Sequence, residues 1–137
     1  MSLGRRRAAG LVAVVAIAAC GLLWRRPELG LPWTIAKYGG SVLWGAMVFC
    51  CVVVLCPRMA SRGVATLAFA IAALVEASQL LSWGPLDAFR ATKAGALLIG
   101  RTFDPFDIVA YAIGMLAAAI CASFLARTQK KARASAP

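Results

Sequence analysis

Four apolar stretches, residues 8–24, 39–56, 64–83 and 106–126, decide what this chain can fold into. Each is long enough for a helix that crosses a hydrocarbon core of ~30 Å, the first marginally. Backbone N–H and C=O groups in lipid must pair within their own segment, so helix is the expected form. A chain of 137 residues that is 62% apolar could not hide that surface as a soluble domain. The expected fold is all-α. A four-helix transmembrane bundle fills residues 1–126 as a single domain, and a basic tail, 127–137, is expected to be disordered.

Charge gives the orientation. A net charge of +10 would suggest nucleic acid in a soluble protein. Here the basic residues flank apolar segments, so they read as topology signals and lipid-headgroup contacts, and no nucleic-acid partner is expected. Arg5, Arg6, Arg7, Arg58, Arg62, Arg127, Lys130, Lys131 and Arg133 fall on one side. A smaller set, Arg25, Arg26, Lys37, Arg90, Lys93 and Arg101, falls on the other. The positive-inside rule makes the first side cytoplasmic, with both termini on it. Trp24, Trp33 and Trp83 then line the outer interface, as an aromatic belt does. Arg5–Arg7 before an apolar run also fits a signal peptide, and Ile17-Ala18-Ala19-Cys20 resembles a lipoprotein cleavage box. The run continues apolar through Gly21-Leu22-Leu23-Trp24, which favours an uncleaved first span.

The third connection, residues 84–105, is the irregular part. Residues 88–99 can form two or three helical turns, but the apolar run at 96–99 is too short to span. A short interfacial or re-entrant helix on the outer face is expected there.

Polar residues gather at that same end. Glu76 lies inside the third apolar stretch, where a carboxylic acid costs roughly 2.5–3.5 kcal/mol on insertion scales. Gln79 shares its helical face. Asp107, Tyr111 and Gly114 follow one face of the fourth span. Lys37, Glu76, Gln79, Arg90, Asp107 and Tyr111 are thus expected to converge in the outer half of the bundle as a ligand-binding set. That chemistry suits an anionic headgroup. Alternatively, Glu76 pairs with Arg90 or Lys37 as a structural lock, or is neutral and points to proton coupling. Gly114 and Ala118 form a small-xxx-small pattern expected to mark close helix packing. Asp104-Pro105-x-Asp107 reads as an N-terminal cap and turn.

No catalytic set emerges. The chain has no histidine, and Cys20, Cys50, Cys51, Cys56 and Cys121 lie in apolar runs or at their ends. They lack the spacing of a metal site or a disulfide framework and read as small packing residues. No metal or cofactor is expected, and Ser41 has no neighbouring base in sequence.

Four stretches together carry a resemblance: Lys37-Tyr38-x-Gly40-Ser41-x-Leu43-Trp44; Val75-Glu76-x-x-Gln79-Leu80; Arg90-x-Thr92-x-x-Gly95-x-Leu97-Leu98-x-Gly100; and Phe103-x-x-x-Asp107-x-x-Ala110-Tyr111-x-x-Gly114. The chain resembles the small bacterial membrane proteins catalogued as domain of unknown function 2809, over roughly residues 10–125. The resemblance implies an integral protein of the bacterial inner membrane and no established activity. More distantly it is similar to VanZ-like proteins, matching their pattern at Glu76, Gln79, Arg90, Asp107 and Gly114. Tyr111 stands where that pattern has Asn.

The leading expectation is a non-enzymatic membrane protein whose outer-leaflet pocket binds a lipid headgroup or a lipid-linked envelope intermediate. Its expected partners are membrane lipids. Alternatives are a subunit packed against a larger membrane protein or a second copy, an enzyme acting on a lipid-linked substrate, and a proton-coupled transporter.

Overall fold

The computed structural model describes residues 2–134, with side chains through Thr128. α1 runs Leu3–Trp24, α2 Trp33–Leu55, α3 Ser61–Ser78, α4 Gly84–Ala91, α5 Lys93–Leu98 and α6 Pro105–Ala134. A single 3-10 turn, Pro27–Leu29, links α1 to α2. It closes through Gly30 at φ +59°, a left-handed conformation that glycine adopts without steric cost. Among the described residues, four helices are long and apolar enough to cross a membrane: α1, α2, α3 and the Pro105–Thr128 part of α6. The four-helix architecture expected from the sequence is present.

α2 is the central element. It packs against α1, α3 and α6, and α3 also packs on α6. Val48, Phe49, Val52 and Val53 of α2 meet Val64, Ala68 and Ala72 of α3 and Tyr111 and Met115 of α6 in one core. The α3 contribution is a stripe at four-residue spacing, and its next member is Glu76. A carboxylic acid therefore occupies the last position of an otherwise small, apolar buried face. The outward faces carry Val12, Leu55, Leu74, Leu116 and Phe124, all exposed, as a lipid-facing surface requires.

The closest helix contact is between α2 and α6. A Cβ on Gly114 would run into the Val42 carbonyl and the Ala46 backbone nitrogen, and one on Gly45 into the Tyr111 backbone. Ala118 is half-buried against the core one turn further on. Lipid tails are as apolar as leucine, so helix association in a membrane relies on such close approach.

The helix boundaries differ from the sequence reading in instructive places. α2 starts at Trp33 rather than 39, so Lys37 and Tyr38 belong to its first turns. α3 stops at Ser78, five residues before the expected end at 83. Glu76 is thus only ~3 Å of helical rise from the end of its helix, not in mid-span, which reduces the cost of inserting it. The irregular connection holds two short helices, α4 and α5, rather than one. α6 runs Pro105–Ala134, past the span end expected at 126. The side chains of Lys130, Lys131 and Arg133, and residues 135–137 altogether, lie outside the described residues.

Replacing Gly114 by Leu should force α2 and α6 apart. Overpacking of this kind costs about 1–3 kcal/mol, and backbone contact puts this site at the upper end. Thermal scanning by size-exclusion chromatography in mild detergent should show the Gly114→Leu peak lost several degrees earlier. Unchanged melting would contradict the packing.

Candidate functional site

The polar end of the bundle is built around Glu76, which is fully buried. Its Oε1 accepts the backbone N–H of Asp104 at 2.7 Å. Its Oε2 accepts the Tyr111 hydroxyl at 3.2 Å and, more weakly, the Gln79 amide at 3.4 Å. A buried carboxyl without such donors would cost several kcal/mol. Among the described residues it makes no ion pair within 4.0 Å, so the expected pairing with Arg90 or Lys37 is not formed.

Asp104 is the second centre. The Lys37 ammonium pairs closely with its Oδ2, the Tyr38 hydroxyl donates to the same oxygen at 3.1 Å, and Oδ1 accepts the Phe106 N–H at 3.0 Å. The Lys37 contact holds the Asp104 carboxyl below the ordinary aspartate range, assisted by the Phe106 N–H and the Tyr38 hydroxyl against the opposing push of burial. The sequence reading took Asp104 for a cap and turn only. It is that, and it also ties α2 to the start of α6. Asp107 is likewise more than a cap: its Oδ1 accepts the Ser41 hydroxyl at 2.8 Å, and Lys37 approaches its Oδ2 at 3.8 Å. Ser41 is buried and was missed as a site residue. The signal available was its position one helical turn after Lys37.

Arg90 serves a different purpose from the one expected. It is buried at 5% exposure and makes no ion pair with Glu76. Nη2 donates to the Ser78 carbonyl at 2.5 Å and Nη1 to the Leu81 carbonyl at 3.1 Å, with Asp87 as its ion-pair partner at 3.2 Å. A helix leaves its last four carbonyls without intrahelical partners, and a guanidinium there satisfies them and the negative end of the dipole. Arg90 thus ties α4 to the C-terminal end of α3 and to the turn that follows it. Arg101 holds the end of α4, donating to the carbonyls of Arg90 and Ala91, both at 3.1 Å. Gln79 donates to the Ile99 carbonyl at 2.7 Å and Trp44 to the Leu98 carbonyl at 3.1 Å, which fixes the end of α5.

These contacts leave a cleft of about 770 Å³ between α2, α5 and the start of α6. Lys37, Gln79, Asp107 and Tyr111 line it; Glu76 lies beneath it, and Arg90 is outside it. Four basic residues, Arg25, Lys37, Lys93 and Arg101, face two acidic ones, Asp104 and Asp107. Lys37 engages both acids, so Arg25 and Lys93 have no carboxylate within 4.0 Å among the described residues. In the sequence Arg25 reads as a topology signal alone. Its guanidinium lies over Gly40, where a Cβ would meet Nε at 2.9 Å.

The family model described as "Protein of unknown function (DUF2809)" matches residues 30–115. The chain belongs to this family. The DUF2809 match takes in α2 to the first turns of α6, and with them Lys37, Glu76, Gln79, Arg90, Asp107 and Tyr111. Arg25 stands before it. No solved structure matches the chain.

Two outcomes check this geometry. Glu76→Leu strands the Asp104 N–H and the Tyr111 hydroxyl, at about 1–3 kcal/mol each, whereas Glu76→Gln keeps an acceptor oxygen. Glu76→Leu should therefore melt well below Glu76→Gln, and equal melting would contradict the network. The Asp104 carboxyl, being depressed in the folded state, stabilises the fold fully above the ordinary value of about 3.9 and loses that contribution as pH falls through its lower folded value. Melting temperature should fall below about pH 4, less steeply for Asp104→Asn. Coincident acid limbs would contradict the ion pair.

Proposed function

We propose that this DUF2809 protein is a multi-pass protein of the bacterial inner membrane that binds an anionic lipid headgroup in the cleft, at the outer leaflet. The observation that carries this reading is the pair Arg25 and Lys93: cations lining a concave site, with no carboxylate engaged. Arg presents a planar fork of N–H donors that suits phosphate, and Lys adds a point charge. The cleft volume falls within the roughly 300–1,000 Å³ of ligand sites. Its apolar walls, Trp44 and Leu97–Ile99, suit the boundary between headgroup and chain. Orientation follows from the basic residues: the Arg5–Arg7, Arg58 and Arg62 end is cytoplasmic, which puts the cleft outside. Glu76 is engaged by the Tyr111 hydroxyl and the Asp104 N–H, and Asp107 by the Ser41 hydroxyl, which suits a scaffold better than an acid–base set.

Protein reconstituted with equal anionic and zwitterionic phospholipid should retain the anionic lipid preferentially in native mass spectrometry. Each charge-assisted hydrogen bond is worth about 1.5–3 kcal/mol. Arg25→Ala with Lys93→Ala should therefore lower that retention by about tenfold or more while melting is unchanged. Equal retention of both lipids, indifferent to the double substitution, would contradict the proposal.

A further inference from the structure

The cleft does not end at its apolar walls. A second, narrower groove of about 190 Å³ runs between α1, α2 and α5, and shares Arg25, Trp44, Leu97 and Leu98 with the first. Its remaining lining is apolar or glycine. Ile17, Ala18, Gly21 and Leu22 come from α1. Gly40, Leu43 and Met47 come from α2. α1 approaches the polar end at Trp24 and α2 leaves it from Trp33, so Ile17 and Met47 lie at the deep end of the groove. From Trp24 to Ile17, and from Gly40 to Met47, the descent is about 10 Å along each helix axis.

From this shared lining we infer a ligand class: a single-chain amphiphile with a phosphate head, its head on Arg25 and Lys93 and its chain in the α1–α2 groove. The inference rests on the headgroup reading above and deepens it. Three features support the assignment. Arg25 lines both the polar and the apolar space, so a head bound to it lies beside the mouth of the groove. Gly40 leaves room for the Arg25 guanidinium beside both spaces. The groove is smaller than the ~300 Å³ at which ordinary ligand pockets begin, a size that suits one hydrocarbon chain. The small side chains that open the groove, Ala18 and Gly21, face it from α1, and a Cβ at Gly21 would meet nothing within 4 Å. The groove can therefore be filled by substitution without disturbing the packing of α1.

The test uses the full chain in neutral detergent, with dodecyl phosphate, butyl phosphate and a two-chain phosphatidate as probes, read by native mass spectrometry. Dodecyl phosphate should bind at least about tenfold more tightly than butyl phosphate, as burial of a few methylenes gives, and more tightly than the phosphatidate. Gly21→Leu, and independently Ala18→Leu, should weaken dodecyl phosphate about tenfold and leave butyl phosphate unchanged. Arg25→Ala should weaken both. Binding indifferent to chain length or to the two groove substitutions would overturn the chain site while leaving the headgroup reading intact. Equal binding of the phosphatidate, lost in Gly21→Leu, would show that the groove takes a tail of an ordinary bilayer lipid and would overturn the single-chain assignment. Absence of binding by every phosphate would sink both readings.

Discussion

The Glu76 carboxyl group sits at the C-terminal end of α3, where the helix dipole is negative and a carboxylate is least welcome. It is held there by donors alone: one backbone N–H, one phenol and one amide. Those donors come from three places in the chain. The Asp104 N–H belongs to the loop before α6, the Tyr111 hydroxyl to α6 itself, and the Gln79 amide to the residue that follows α3. Holding all three fixes the entry of α6 against the exit of α3. Once that entry is fixed, Asp104 and Asp107 face α2, and Lys37, Tyr38 and Ser41 find their partners. The polar end of the bundle is one connected network, and satisfied networks in a low-dielectric setting are rigid.

The basic residues at this end then divide by what they touch. Arg90 spends its donors on the Ser78 and Leu81 carbonyls and on Asp87, and Arg101 on the last two carbonyls of α4. Lys37 is held between two carboxylates. Arg25 and Lys93 have no such engagement, and they face the cleft. Two short helices that could not stand alone in water are kept in place by side-chain caps, and the second of them, α5, walls the cleft against α2 and the start of α6. The same side chains thus give α4 and α5 their ends and give the cleft its wall.

Much of this was legible in the sequence. Apolar length gave the four spans, and the energetic cost of Glu76 in an apolar run marked the polar end correctly. Convergence of Lys37, Gln79, Asp107 and Tyr111 followed from helix direction and face. Three things were not legible. The stop of α3 at Ser78 is joined by Arg90, which lies twelve residues later and bonds backbone carbonyls that leave no trace in composition. For the same reason Arg90 looked like a pocket residue: charge and position suggest a partner, but whether that partner is a carboxylate or a helix end is decided by tertiary geometry. Arg25 was hidden among topology signals, because only the close passage of α1 over Gly40 turns it toward the cleft.

Hydrogen exchange at the Asp104 amide, followed by mass spectrometry of the peptide covering residues 99–107, tests the role of Glu76 most directly. In the wild-type chain that amide should be strongly protected, and Glu76→Ala should expose it while the core peptide around Phe49 keeps its protection. Equal protection in both chains would show that another contact holds the entry of α6, and that Glu76 is not the residue on which the polar end depends.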